Sequence, residues 1–142
     1  MSFNMRKLAL SQIIKNASEI KSVPERVNYL RQNQSEPLKQ LLQLGLSDVE
    51  WDLPEGAPPY KVSPYLDQEG MLYHETRRLY LFLKGGGRPD LNKVKREMLY
   101  IGLLESIHPQ DAELLVDIKD KNLPKTISKK VVEEAFPGLI GG

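Results

Sequence analysis

The side chains that most often carry out chemistry are scarce in this chain of 142 residues, which has two histidines and no cysteine. His74 is not followed by a second histidine at the i, i+4 spacing of a zinc-protease helix. His108 precedes a proline at a predicted helix start. The absence of cysteine excludes thiol nucleophiles, disulfides and cysteine-ligated zinc. We therefore expect both histidines to be structural, and we predict no metal site.

A run of three glycines, Gly85 to Gly87, is the feature closest to a phosphate-binding loop. Such a loop follows a strand and ends in Gly-Lys-Ser/Thr, whereas this run follows a predicted helix and leads into Arg88 and a proline. We interpret it as a hinge. No nucleophile is paired with a base, since Asp111 and Glu113 stand at i and i+2 of a predicted helix and diverge. We predict a protein with no catalytic residues and no cofactor, which is not an enzyme.

Charge is balanced overall but unevenly placed, with 20 Lys+Arg against 19 Asp+Glu and a net charge of +1. Residues 48–69 carry six acids and one base, whereas residues 77–96 carry seven bases and one acid. A basic patch of that size is a candidate for binding a phosphate backbone with salt-dependent affinity. The alternative is that the acidic segment folds over the basic one and neutralises it. The candidate binding residues, here the basic cluster, are Arg77, Arg78, Lys84, Arg88, Lys93, Lys95 and Arg96.

A proline-rich segment with aromatic neighbours divides the chain. Val49, Trp51 and Leu53 alternate with acids, which indicates a short extended piece with one apolar face. Four prolines in the eleven residues 54–64 then exclude a helix. We predict an ordered strap over residues 46–66, rather than a ligand for a polyproline-binding domain. Its aromatic residues, which fill grooves or form an interface, are Trp51, Tyr60 and Tyr65.

Residues 1–45 have the periodicity of helices. Ser22 and Ser35 each precede a proline and a glutamate, which is typical of capped helix starts. Gly45 is expected to stop the third helix in the left-handed conformation. The apolar face predicted for the first helix consists of Leu10, Ile13, Ile14 and Ala17.

Residues 67–140 predict further helices, with Asp67, Asp90 and Thr126 or Ser128 as expected caps. The first of these helices carries Leu72, Thr76, Leu79, Tyr80 and Leu83. The next has Leu91, Val94, Met98, Ile101 and Glu105 on one line, with Leu103, Leu104 and Ile107 nearby. The sequence therefore predicts a mainly α fold. We expect a single domain, residues 1–142, built as a compact bundle of about seven short helices crossed by the strap, with little or no sheet.

Three stretches in this order carry a family resemblance: residues 51–61 (WDLPEGAPPYK), 95–106 (KREMLYIGLLES) and 134–140 (EAFPGLI). With residues 111–115 and 119–124, they resemble a small uncharacterised protein family of large contractile-tailed phages. These are myoviruses, including those of marine cyanobacteria, and the resemblance spans residues 35–140. That family carries no assigned activity, so no functional residue is transferred. The resemblance implies a phage product in the cytoplasm of an infected bacterium.

Three functions remain open. The preferred one is a non-enzymatic phage accessory protein that acts as an adaptor or modulator by binding a host or phage protein, which the separated charged segments and the aromatic strap favour. A second is a nucleic-acid-binding factor for replication or transcription, in which Tyr73 and Tyr80 stack on unpaired bases beside the basic cluster. A third is a minor virion or assembly component. Short apolar runs and a start without a signal-peptide pattern lead us to expect no membrane partner.

Overall fold

The computed structural model of the chain describes residues 8–62, 71–85 and 91–140. Within these ranges the chain forms seven α-helices and one 3-10 helix, so the mainly α prediction is confirmed. The β-pairing in these ranges is a single antiparallel bridge, and none of their helices is long and apolar enough to span a membrane. In chain order the helices are α1 (Leu10–Glu19), α2 (Val23–Gln32), α3 (Glu36–Leu46), α4 (Met71–Glu75), the 3-10 helix (Thr76–Phe82), α5 (Lys93–Ser106), α6 (Pro109–Lys119) and α7 (Lys129–Ala135).

Serine side chains begin three helices where the sequence predicts them. The hydroxyl oxygen of Ser22 accepts a hydrogen bond from the Glu25 amide at 3.4 Å, and that of Ser35 accepts one from the Leu38 amide at 3.2 Å. Each bond satisfies a backbone donor that the first turn of a helix leaves free. Ser128 caps α7 in the same way.

The predicted cap of α5 is wrong by two residues. Asn92 fills that position, and its Oδ1 accepts a hydrogen bond from the Lys95 amide at 2.8 Å. Asp90, the residue predicted to cap α5, lies outside the described residues. Asp67, the predicted cap of the preceding helix, lies outside them too. Asn and Asp cap helices equally well, so the sequence alone does not choose between positions 90 and 92.

The helices pack around one cluster of buried apolar side chains, with α2 against α7, α3 against α6, and α6 against both α5 and α1. The predicted inner face of α1 is confirmed, because Leu10, Ile13, Ile14 and Ala17 are all buried. A carboxylate from another helix caps α1, since Asp111 Oδ1 accepts a hydrogen bond from the Ser11 amide at 3.1 Å. Asp111 itself is fully buried. Asp111, which lies in the first turn of α6, therefore places its negative charge at the positive amino ends of both α1 and α6.

The glycine stop predicted for α3 is wrong. Gly45 lies inside the helix, which continues to Leu46, and Ser47 follows in an extended conformation. A Cβ atom at position 45 would lie 2.8 Å from Cδ1 of Leu123. Glycine fits here because the loop after α6 packs closely on the helix, and not because the chain turns: an added Cβ would require the Leu123 side chain to move. The strap accordingly starts at Ser47.

The helix predicted after residue 71 changes its geometry at Thr76. From there a 3-10 helix runs to Phe82, and Thr76, Leu79 and Phe82 are buried at a spacing of three. Three residues per turn place every third side chain on one face, which explains this pattern. The prediction that one α-helix carries Tyr80 and Leu83 is therefore wrong, although Leu83 still packs against the core. Tyr80 is exposed, and Leu83 leaves the helix in an extended conformation.

The line that the sequence shows along α5 lies, at Val94 and Met98, on the outer side of this helix. Val94 is 67% exposed and Met98 is 65% exposed. The buried side consists of Tyr100, Leu103 and Leu104. Both sides of this helix carry apolar residues at helical spacing, so periodicity alone could not assign the inner one.

Candidate functional site

The first half of the strap is held by backbone pairing. The Asp52 amide donates to the Phe82 carbonyl at 2.7 Å, and the Lys84 amide donates to the Glu50 carbonyl at 3.0 Å. Trp51 and Leu83 consequently form the antiparallel bridge. Trp51 is buried in the core, with Val49 and Leu53 partly buried against it. The predicted extended piece with one apolar face is confirmed.

The second half of the strap is held by charged side chains of two helices. The Gly56 amide donates to both carboxylate oxygens of Asp120 at 3.2 Å, and the Lys61 amide donates to Glu105 Oε2 at 2.9 Å. Tyr60 is half-buried against the core, where burial and the nearby Glu113 carboxylate raise its pKa. Both described strap aromatics, Trp51 and Tyr60, thus pack inward. Tyr65 and the end of the strap, residues 63–66, lie outside the described residues.

Arg96 of the predicted basic cluster ties internal elements together. Its guanidinium donates to the carbonyls of Leu81 at 3.2 Å and Leu91 at 2.9 Å, and forms an ion pair with Asp52 at 3.1 Å. Only 11% of its side chain is exposed. Arg96 therefore stabilises the fold and is not available to a phosphate.

The rest of the basic cluster divides into paired and free cations. Lys84 pairs with Glu50 at 3.6 Å, and Arg78 pairs with Glu75 at 3.1 Å. Glu50 and the Asp52 partner of Arg96 belong to the acidic segment, which thus neutralises part of the basic one, as the alternative interpretation of the sequence holds. Arg88 lies outside the described residues. Three cations remain exposed without an ion pair to a described residue: Arg77, Lys93 and Lys95.

Two lysines at the end of α6 and just after it, Lys119 and Lys121, also have internal roles. Lys119 is buried and donates to the Pro54 carbonyl at 2.8 Å and to Asp120 Oδ1 at 2.6 Å. Lys121 donates to the carbonyls of Leu44 at 2.6 Å and Ser47 at 2.9 Å, so it caps the carboxyl end of α3. Burial and the like charge of Lys129 lower the pKa of Lys121, although Asp48 opposes the shift.

The two tyrosines assigned to base stacking differ in their availability. The Tyr73 hydroxyl donates to the Leu8 carbonyl at 2.6 Å and so fixes the chain just before α1. Burial raises the Tyr73 pKa, and the Asp111 carboxylate adds to the rise. Tyr80 is 47% exposed. Of these two tyrosines, Tyr80 is therefore the more exposed.

A small cavity of about 180 Å³ lies beneath the strap. Strap residues 53–59 form one wall, and Glu97 and Tyr100 of α5 and Lys119 of α6 form the other. The Tyr100 ring packs edge-on against Phe82, with 5.4 Å between centroids, but its hydroxyl is buried and has no hydrogen-bond partner among the residues that the structure describes. Burial raises the Tyr100 pKa far above its usual value, and the charges of Asp120, Tyr60 and Asp117 add to the rise. No pattern in the sequence predicts that the Tyr100 hydroxyl is buried in this way.

A larger and more open groove of about 620 Å³ runs between the end of α3, the strap and the loop after α6. Trp51 lines it, and the indole nitrogen of this residue is buried without a hydrogen-bond partner in the described part of the chain. Four acids and four lysines line the groove, so its charges balance. Two of these lysines, Lys119 and Lys121, already donate to backbone carbonyls. The groove therefore offers no excess charge to a ligand.

The outer face of α5 is an exposed apolar surface. We define it by Val94, Met98, Leu99 and the half-buried Ile101. Gly102 lies beside them with nothing within 4 Å of where a Cβ would be. Contiguous exposed apolar side chains of this kind mark interaction surfaces more often than single ones do.

The histidines and carboxylates do not assemble into a metal site within the part of the chain that the structure describes. No group of three or more His, Asp or Glu side chains there is close enough to hold a metal ion. The structural role predicted for His108 is confirmed, because its Nδ1 accepts a hydrogen bond from the Gln110 amide at 3.1 Å and caps α6. His74 is exposed on α4.

The match to known families spans most of these elements. Residues 13–125 match a family of unknown function, DUF6433, so the match runs from α1 to the loop after α6. The search of curated proteins found no match. The family description assigns no activity, substrate or site residue. The match covers well over half of the sequence, and this protein belongs to the DUF6433 family.

Proposed function

We propose that this protein is a non-enzymatic adaptor or modulator that binds another protein through the outer face of α5. The exposure of Val94 and Met98, at 67% and 65%, is the observation that carries this proposal. They stand one turn apart and form a continuous apolar ridge with Ile101. The opposite side of α5 already supplies Tyr100, Leu103 and Leu104 to the core. The ridge is therefore not needed to hold the helix in place.

The charges around the ridge specify the chemistry of the partner. Lys93 and Lys95, both exposed, lie at the amino end of α5, whereas Glu97 and Glu105 lie further along the helix. A complementary segment presents apolar anchors, acids opposite the two lysines and a base opposite Glu97. An amphipathic helix fits this description, since it displays such anchors at i, i+3 and i+4. Complementary charge would set its orientation on α5.

The sequence resemblance to a family of contractile-tailed phages supplies the cellular setting of the proposal. On that resemblance, the protein is a phage accessory protein in the cytoplasm of an infected bacterium, and its partner is a host or phage protein. A role as a minor virion component remains an alternative in the same setting. Direct nucleic-acid binding is less favoured, because internal pairing leaves few of the predicted cations free.

Affinity capture from phage-infected bacteria tests the proposal. The wild-type protein is compared with Val94→Glu/Met98→Glu and with a control, Val23→Glu, at an exposed valine on α2. We expect one stoichiometric protein with the wild type and the control, and its loss with the double variant. Circular dichroism checks that all three proteins are folded. Equal capture by the double variant contradicts the assignment to α5, and recovery of the protein mainly in purified virions supports the virion alternative.

A further inference from the structure

The exposed apolar residues of α5 lie in a row that has both a ridge and a gap. Val94, Met98 and Gly102 follow one another at intervals of four residues, which is the spacing of the rows by which helices most often pack. Val94 and Met98 project into solvent, whereas nothing lies within 4 Å of where a Cβ of Gly102 would be. Leu99 and the half-buried Ile101 border this row. The surface can therefore both insert a side chain and receive one.

The charges of α5 change sign along the helix. Lys93 and Lys95 are exposed at its amino end, and the half-buried Glu97 and Glu105 follow. None of these four side chains has an ion pair with a described residue. Arg96, between them, is turned inward to Asp52. The helix dipole has the same sense, positive at the amino end and negative at the carboxyl end.

This order of charges makes α5 complementary to a second copy of itself. Two copies in parallel would place lysines opposite lysines, which repel each other. Two antiparallel copies place the lysines of each against the glutamate half of the other, with the helix dipoles opposed. A two-fold axis generates this arrangement and closes it as a dimer. A second copy thus supplies the apolar anchors and opposite charges that the surface requires.

An antiparallel crossing centred midway between Met98 and Gly102 satisfies shape and charge together. It sets Met98 of each copy over Gly102 of the other, where the missing side chain leaves room. Lys95 and Glu105 stand equally far from this centre, so each lysine comes level with the glutamate of the other copy. The Glu105 carboxylate is already held in place, because its Oε2 accepts a hydrogen bond from the Lys61 amide at 2.9 Å. The symmetry makes each contact twice.

We propose that a second copy of this chain docks on the outer face of α5, in an antiparallel two-fold dimer with Met98 of each copy over Gly102 of the other. The inference rests on the proposed function for its surface and adds a form of regulation, since a partner must displace the second copy. One pair of helices buries less than the roughly 1,200–2,000 Å² of a stable interface, so we expect a dissociation constant on the order of 100 μM. The surface is then open when the protein is scarce and covered when it is abundant.

Sedimentation equilibrium of the purified full chain, from about 10 μM to about 1 mM, tests the dimer. The average mass should rise toward twice that of one chain. Val94→Glu/Met98→Glu should stay monomeric, and Val23→Glu, at an exposed valine on α2, should associate as the wild type does. A wild-type chain that stays monomeric throughout overturns the proposal, and so does unchanged association of the double variant.

Gly102→Gln tests the gap separately from the hydrophobic ridge. The new side chain points into open space in one copy, so the melting temperature should not fall. It occupies the place of Met98 from the second copy, so the dimer should weaken at least about tenfold. Circular dichroism checks the fold. Association as strong as that of the wild type would show that the copies do not meet at Gly102 and would overturn this arrangement.

Reversal of charge tests the antiparallel direction. Lys95→Glu should weaken the dimer at least about tenfold, because it sets glutamate against Glu105 of the other copy twice. Lys95→Glu/Glu105→Lys should recover the association, since each new charge again meets its opposite. In a parallel dimer neither change would remove the repulsion between like charges. Lys125→Glu, at an exposed lysine after α6, is the control. A double variant no better than Lys95→Glu overturns the antiparallel contact.

The dimer and the proposed function can fail separately. Sedimentation uses the purified chain alone, whereas capture from infected bacteria reports other proteins. A monomeric chain that still captures a protein through Val94 and Met98 overturns the dimer and leaves the adaptor. A dimer that Val94→Glu/Met98→Glu abolishes, without any other protein captured, supports the dimer and removes the adaptor.

Discussion

Arg96 and Asp52 join the two oppositely charged segments of the chain, with Nη1 of the arginine 3.1 Å from Oδ2 of the aspartate. The same guanidinium donates to the carbonyls of Leu81 and Leu91, before and after the residues that connect the 3-10 helix to α5. One side chain thus ties together the strap, the 3-10 helix and the start of α5. Arg96, a member of the basic cluster, therefore acts within the fold and not on its surface.

Replacement of Arg96 should therefore lower the stability of the fold, and not only change the surface charge. We expect Arg96→Met to lower the free energy of unfolding by about 2–4 kcal/mol, because Asp52 and two carbonyls lose a charged partner. Arg96→Lys should recover only part of this loss, since an ammonium cannot reach three acceptors in the arrangement of the fork. Urea denaturation measures both. The exposed neighbour Lys95→Met is the control, and an equal effect of the two methionine variants would contradict the internal role.

Nucleic-acid binding, if it occurs, should have a shallow salt dependence. Three exposed cations of the cluster, Arg77, Lys93 and Lys95, have no ion pair with a described residue. Three phosphate contacts give a log–log slope of about −2.7 for duplex DNA. Fluorescence anisotropy at about 50 mM and 200 mM salt measures this slope. A slope much steeper than −4 would mean that the internal pairs open on binding, and would favour the nucleic-acid alternative.

Trp51 should be the most important strap residue for stability. It is buried in the core and opposite Leu83 in the only bridge of the described residues. Removal of a buried tryptophan side chain typically costs about 3–5 kcal/mol, so Trp51→Ala should lower the melting temperature by at least several degrees. Tyr80→Ala, at an exposed ring, is the matched control. An unchanged melting curve for Trp51→Ala would show that the strap is only loosely attached.

The features that the sequence predicts well are those that depend on near neighbours. Ser22 and Ser35 cap their helices because a cap requires only a hydroxyl and the next three residues. The orientation of α5 was not predictable in this way, since Met98 and Leu104 are equally apolar and only contacts distant in sequence bury one of them. Tyr100 could not be identified as part of a cavity, because the cavity exists only where the strap crosses α5.

Gly45 shows how such a distant contact can outweigh local preference. Alanine inside a helix is normally favoured over glycine by about 1 kcal/mol. At position 45 the added Cβ would lie 2.8 Å from Leu123 Cδ1, so the leucine must move. Gly45→Ala should therefore give little or no stabilisation in the wild type, but should stabilise a Leu123→Ala background.

Denaturation of the four proteins in this double-mutant cycle measures the coupling between the two positions, which we expect to be on the order of 1 kcal/mol. Gly102→Ala is the control, because nothing lies within 4 Å of a Cβ at that exposed helical position. It should stabilise the protein by about 0.5–1 kcal/mol. Equal effects of Gly45→Ala in both backgrounds would show that Leu123 does not constrain this site.

At neutral pH the ionised Asp117 carboxylate should make the protein less stable than a variant with an uncharged side chain at position 117. Burial raises the pKa of Asp117, and the like charges of Glu113 and Asp120 raise it further. The folded state therefore holds this proton more tightly than the unfolded chain, whose aspartates titrate near about 3.9. Ionisation opposes folding above the raised pKa, and this penalty disappears as the pH falls below the unfolded value.

Asp117→Asn should accordingly be more stable than the wild type at pH 7, by about 0.5 kcal/mol, because it removes repulsion from Glu113 one turn away and a negative charge near the carboxyl end of α6. The difference should shrink as the pH is lowered and vanish near about pH 3, where the carboxyl is protonated in both states. Thermal melts of both proteins across this pH range measure the effect. A variant that is less stable at pH 7, or a difference that persists at low pH, would mean that the Asp117 carboxylate is stabilised in the folded state after all.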